Sequence, residues 1–291
     1  MRNLNKHTVI PAKAGTQNYK NWIPACAGTT DRAFTLVEML VVVGIIALLM
    51  VFGIPAVQTM VRSFHSDGEA RAMISSALAC ARAIAAKEQT YAGIRFQKAY
   101  NPNSPNNPLD WAQYMIFIIY DPCLPNGAVG SLGCRAMEGM EPIKLPAGTG
   151  VTDLMLGAPD PDRKVANDGD LANNSDILDV TTFSVLFSPT GRLIIHELWV
   201  VNRDQGTNPT TSRDDIFNTQ TNVQNGIGMF FQDEQIPGIQ RELSRNSFII
   251  YDENILKKLP NTDRYSKYLQ DLAARSMVYV NPHTGTLIEN D

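Results

Sequence analysis

From Met39 to Val61 the chain runs for 23 residues without a charged side chain, and one carboxylate, Glu38, stands immediately ahead of that run. A helix of such length reaches about 35 Å at about 1.5 Å per residue, enough to cross a hydrocarbon layer of about 30 Å. The stretch therefore predicts a single membrane-spanning helix. No later window matches it: the most apolar, "YMIFIIYD" from Tyr114 to Asp121, has strand length and ends in a charge. A cleaved secretory signal would need a shorter apolar core followed by a small-residue cleavage site. Here the run is long and passes into further helical pattern, so it reads as retained.

The flanks set an orientation. Arg2, Lys6, Lys13, Lys20 and Arg32 precede the span against one acid, Asp31. Because excess Lys and Arg stay in the cytoplasm, the leader is expected there, with the C-terminal part outside. Setting the leader's five bases and one acid aside from totals of 25 and 29 leaves 20 against 28. A remainder that acidic disfavours nonspecific nucleic-acid binding, so DNA is not an expected partner. Within the leader, "IPAKAGT" at Ile10–Thr16 recurs as "IPACAGT" at Ile23–Thr29, thirteen residues on. Pro, Gly and Thr so closely spaced give little fixed structure. The leader is either unusually long or an upstream stretch read through a start placed too early, and the second reading is preferred.

A carboxylate at the centre of a membrane span costs on the order of 3 kcal/mol, whereas one at its edge reaches the interface cheaply. Glu38 could thus be a tolerated edge charge. The surrounding residues are more specific. "AFTLVEMLVVVGIIALL" resembles the N-terminal segment of type IV pilins and type II secretion pseudopilins. The resemblance implies cleavage by a prepilin peptidase between Ala33 and Phe34, N-methylation of Phe34 by the same peptidase/N-methyltransferase, and retention of the following helix. Glu38 is then fifth after the cut, and Pro55 falls where the family carries a helix-kinking proline, next to Gly53. The family pattern has Gly before the cut and this sequence has Ala33, a departure that bears on cleavage efficiency. The resemblance also implies that Glu38 pairs with the new amine at Phe34 of a neighbouring subunit, and that the protein leaves the membrane for a filament on assembly.

Beyond the span, Ala70, Met73, Ala77, Cys80 and Ile84 recur at helical spacing. This predicts an amphipathic continuation packed on a sheet, with Cys80 in the core. Thereafter "TYAGIRFQ", "QYMIFIIYD", "VTTFSVLFS", "RLIIHELWVV", "SFIIYDE" and "SMVYVNP" read as strands. "FSPTGRLII" and "YVNPHTGTLI" read as hairpin turns; they resemble strand-turn elements of the GspH/FimT group of minor pseudopilins. The expected fold is α+β and pilin-like, a long N-terminal helix packed on an antiparallel β-rich globule. Its expected parts are a leader at 1–33, a transmembrane and polymerisation helix at 34–61, an amphipathic continuation at 62–90 and a periplasmic globule at 91–291. In an oxidising compartment Cys123 and Cys134 would close a loop of about 12 residues, worth about 3 kcal/mol in the chain-entropy picture.

No catalytic constellation stands out: His7, His65, His196 and His283 lack metal spacing, and neither a phosphate loop nor a nucleophile elbow occurs. No enzyme and no cofactor are expected. Asp160, Asp162, Asp168, Asp170 and Asp176 crowd one polar loop that could offer oxygens to calcium, but their spacing is not that of an EF-hand, and a solvated acidic loop is the preferred reading. The basic residues Arg241, Arg245, Lys257, Lys258, Arg264, Lys267 and Arg275 are interleaved with acids and read as a mixed solvated face rather than a DNA site. The expected function is that of a minor pilin or pseudopilin whose partners are other such subunits. The alternatives are a tip module that captures DNA or an exported substrate, and a plain membrane-anchored domain.

Overall fold

The computed structural model describes residues 36–124, 132–156, 163–204, 211–233 and 242–289, with side chains left aside at 47–67 and 289. The chain divides into two units, Met1–Pro55 and Ala56–Asp291. Helix α1 is assigned to Leu36–Glu88 and runs through Gly53 and Pro55, whose side chains lie outside the description.

In the second unit, α1 buries Ala70, Ile74, Ala77, Leu78, Ala81 and Ala85 in the main core. These positions follow a 3.6-residue period, and four of the six are alanines, small enough to let a helix approach a sheet closely. The stripe is rotated from the one read in the sequence. Met73 and Ile84 lie at its margin, and Cys80 is exposed rather than in the core. Alanine carries almost no hydropathy signal, so the eye follows Met, Cys and Ile instead. The helix ends at Gln89, in the left-handed region at φ 52°, and Thr90 N–H donates back to the Ala85 carbonyl at 3.2 Å.

Sixteen strands follow among the described residues: β1 (Ala92–Lys98), β2 (Gln113–Tyr120), β3 (Leu132–Ala136), β4 (Ile143–Lys144), β5 (Thr149–Thr152), β6 (Met155–Leu156), β7 (Arg163–Lys164), β8 (Phe183–Phe187), β9 (Leu193–Ile194), β10 (Glu197–Val200), β11 (Phe217–Asn218), β12 (Phe230–Phe231), β13 (Glu242–Leu243), β14 (Ser247–Asp252), β15 (Val278–Val280) and β16 (Leu287–Glu289). The fold class is α+β. The main sheet has the order β13-β10-β3-β2-β1-β8-β9, with β4 on β2. All its pairings are antiparallel except β10 with β3. A second sheet, β16-β15-β14-β5, lies over one face of the first: Phe248, Ile250, Val278 and Val280 enter the same core as α1 and β1. Phe96, Phe183 and Phe248 meet there with ring centroids 4.8–6.0 Å apart.

"RLIIHELWVV", read as one strand, is two. β9 pairs with β8 at one edge of the main sheet and β10 pairs with β3 and β13 at the other, yet only Ile195 and His196 separate them. Two residues span roughly 7 Å at most, so the sheet curls until its edges meet. Ser244 closes the seam: its N–H donates to the His196 carbonyl at 3.0 Å, its hydroxyl donates to the Ile194 carbonyl at 2.7 Å and accepts from His196 N–H at 3.0 Å. Ile116, Ile118, Cys134, Leu186, Leu198 and Val200 fill the inside of the curl, with Phe217 and Phe230.

The two hairpin turns read in the sequence are present, with Gly191 and Gly285 at positive φ of 71° and 73°. Short helices occupy stretches read as loop or left unassigned: α2 (Asn174–Val180), α3 (Gln220–Gln224), α4 (Glu253–Lys258) and α5 (Gln270–Arg275). Several are too short to display a full amphipathic period; α2, α4 and α5 pack into one core with Ile249 and Tyr251 of β14, and α3 lies against β12.

Candidate functional site

Ala33 and Phe34 lie outside the described residues, so the expected cut falls there. Description begins at Leu36, and Glu38 sits in the first turn of α1, where a carboxylate complements the helix dipole. Around it Leu36, Val37, Met39, Leu40, Val41 and Val42 are all 45–80% exposed. Val43, Ile45 and Ile46 extend this surface. An apolar surface of this extent marks a contact with lipid or protein. Among the described residues no helix is long and apolar enough to cross a membrane; within the expected span, Met39–Val61, the side chains from 47 onward are left aside.

The remaining candidates disperse. Cys134 is a buried unbridged thiol, so the expected Cys123–Cys134 disulfide is not formed. The cause is strand alternation. Cys134 points inside the curl, whereas its neighbour Gly133 faces Leu124 and Trp199, on the side where the 121–124 turn packs. Cys134 thus faces away from the side on which Leu124 packs, while Cys123 is exposed, and burial pushes the Cys134 thiol up to about 12.

Asp160 and Asp162 lie outside the described residues. Asp168 and Asp170 are spent on the chain: Asp168 accepts from the N–H groups of Tyr265 and Ser266 at 2.7 and 3.1 Å, and Asp170 accepts from Ala166 and Asn167 and pairs with Arg163 at 2.6 Å. Among the described residues no three His, Cys, Asp or Glu side chains converge on one point. His196 is half-buried at the seam, its Nδ1 2.9 Å from the Glu197 carbonyl. The basic cluster is not one face either. Arg245 pairs with Asp153, Lys257 with Asp110, Lys267 with Asp263 and Arg275 with Asp271, while Arg264 is buried.

Sequence reading missed the most highly charged place in the second unit. Arg95, on the fully buried β1, projects into the curl, where Nη2 meets Asp233 at 2.6 Å, Nη1 meets Glu242 at 2.7 Å and Nε donates to Gln97 at 2.8 Å. Asp233 also accepts from Val200 N–H at 2.7 Å, and the Ser184 hydroxyl donates to Glu242 at 3.1 Å. Arg245 and Asp153, 2.6 Å apart, extend the group. Two guanidiniums thus face three carboxylates. Burial pushes Glu242 up to about 8 against the pull of Arg95, and Asp153 up to about 7 against Arg245. Lys98 makes a separate buried lock, Nζ to Glu253 at 2.5 Å and to the Trp111 carbonyl at 3.0 Å. Arg95 and Lys98 stand three apart on β1 and so point to opposite faces, and nothing local in the sequence marks either as buried. These locks fasten β1 to β13, to the segment after β12 and to α4.

Residues 29–54 match the Prokaryotic N-terminal methylation motif. No curated protein and no solved structure matches the chain. The match covers the resembling segment, from Thr29 in the leader through the apolar run to Ile54, and supports its likeness to the N-terminal segment of type IV pilins and pseudopilins.

Proposed function

We propose that the protein is a minor pilin or pseudopilin, a structural subunit that starts or caps a short filament of a type IV pilus or type II secretion system. The observation that carries this reading is the coincidence of the methylation motif at 29–54 with nine exposed large apolar side chains of α1 flanking one carboxylate. Prepilin peptidase cuts between Ala33 and Phe34 and methylates Phe34, and α1 then holds the subunit in the inner membrane until assembly. Glu38 pairs with the Phe34 amine of the adjacent subunit, which neutralises both charges in an apolar setting and favours in-register packing over nonspecific association. Three long polar, Gly/Pro/Asn-rich stretches, near Asn101, at Gly157–Asp176 and at Asn202–Asp215, support a minor rather than a repeated subunit, because they would crowd a lattice made of many copies. Other pilin-type subunits and the peptidase are the partners.

Mass spectrometry of the protein purified from a host that makes the peptidase tests this directly. A mature chain beginning at N-methylated Phe34 is expected. An intact leader in the presence of active peptidase would leave a plain membrane-anchored domain instead.

A further inference from the structure

The charges buried in the curl do not balance, and the strand that closes the curl carries the residue where the balance is made. Arg95 and Arg245 face Asp153, Asp233 and Glu242, and none of these five side chains is more than 16% exposed. Arginine stays charged at any pH the fold survives. With all three carboxylates ionised, the group would hold a net negative charge away from water, and an enclosed carboxylate in surplus takes up a proton instead. Burial pushes Asp153 up to about 7 and Glu242 higher, to about 8, so at neutral pH the last proton rests on Glu242.

Glu242 opens β13, an edge strand two residues long that pairs with β10. Two backbone bonds continue it across the seam, Ser244 N–H to the His196 carbonyl at 3.0 Å and Arg245 N–H to the Ser184 carbonyl at 2.7 Å. Its side-chain ties are ionic at both ends, Glu242 to Arg95 at 2.7 Å and Arg245 to Asp153 at 2.6 Å. Around Glu242, β1 brings Arg95 and Gln97, β8 brings Ser184, β3 brings Cys134 beside Arg95, and the segment after β12 brings Asp233. Asp179 of α2 stands near Asp153. From β10, Leu198 enters the curl opposite Glu242, while Glu197, opposite Leu243, alternates to the other side. His196 holds its Nδ1 against the Glu197 carbonyl.

We propose that β13 is a pH-released latch: a proton on Glu242 lets the strand lie in the curl, and loss of that proton frees residues 242–245 from β10 and β8 while the rest of the unit stays folded. Glu242 binds its proton more tightly when closed than when open, where a glutamate titrates near pH 4. Closure is therefore strongest below about pH 4 and weakens about tenfold per pH unit as pH rises toward the closed-state value of about 8. Release leaves β10 with an unpaired edge, the kind of edge to which a strand of another polypeptide adds.

Amide hydrogen exchange of the full chain in neutral detergent, resolved to single residues and corrected for the intrinsic effect of pH, tests the latch. The Ser244 and Arg245 amides are expected to lose protection about tenfold per pH unit between pH 5 and 8. They should do so ahead of the Met137 amide, which donates to the Phe117 carbonyl of β2 at 2.8 Å and reports on the sheet itself. Glu242→Gln, which carries no proton to lose, is expected to keep Ser244 and Arg245 protected to the same degree from pH 5 to 8. Loss in step with Met137 overturns the proposal, because the proton then governs only the stability of the whole unit. A slope that survives Glu242→Gln overturns it as well and assigns the response to another group, His196 first.

Discussion

Glu38 and Arg95 are each a lone charge in an apolar stretch, and they are handled in opposite ways. Glu38 stands in the first turn of α1 among apolar side chains that face outward. Arg95 stands on a strand buried along its whole length and is clamped by Asp233 and Glu242 from the same chain, 138 and 147 residues away. The side chains around the first face outward and ask for lipid or another subunit. The second is closed by the chain itself and fastens the edge strand β13 and the segment after β12 to the middle of the sheet. A charge in an apolar stretch therefore carries no fixed meaning; what decides is which way the residues around it face.

Exchanging the two charges for apolar residues gives the sharpest contrast. Arg95→Met leaves two enclosed carboxylates uncompensated and is expected to cost about 3–5 kcal/mol in urea unfolding. Glu38→Val is expected to leave that unfolding within about 0.5 kcal/mol while nearly abolishing incorporation into filaments, scored by their sheared fraction. Equal incorporation would remove the role proposed for Glu38, and a mild Arg95→Met would mean that water reaches the clamp.

The clamp also predicts a pH dependence that the N-terminal segment does not share. Asp153 and Glu242 keep protons in the folded state up to about 7 and about 8, whereas the unfolded chain releases them near pH 4. Folded-state pKa values raised in this way give stability that is full below about pH 4 and is lost as pH rises through the folded values. Between pH 5 and 7 the free energy of unfolding in urea is therefore expected to fall, by about 2 kcal/mol per pH unit for the two groups together. Asp153→Asn combined with Glu242→Gln is expected to flatten that slope. An unfolding midpoint that rises over the same range would show that every carboxylate of the cluster is ionised at pH 5.

The smallest expected effect concerns the cysteines. With Cys134 inside the curl, Cys123→Ser and treatment with reductant are each expected to change stability by less than about 0.5 kcal/mol. A loss of about 3 kcal/mol on reduction would restore the bridge.

The N-terminal motif was legible because it is local. Charge, size and spacing within some thirty consecutive residues carry the match to the methylation motif with no need of the rest of the chain. The same holds for the hairpins at Gly191 and Gly285, where turn chemistry resides in four or five neighbours. What stayed hidden is contact between distant residues. Two residues at Ile195–His196 turn one apparent strand into the two edges of a curled sheet, and alternation on β3 separates a cysteine pair that loop length alone would join. Arg95, Lys98 and Arg264 all look like surface bases until the packing of other elements encloses them. By itself the sequence determined the match to the methylation motif at 29–54, since such a signal is read linearly along the chain. Only the tertiary structure decided which charges are buried and paired, because burial is a property of neighbours brought together by folding.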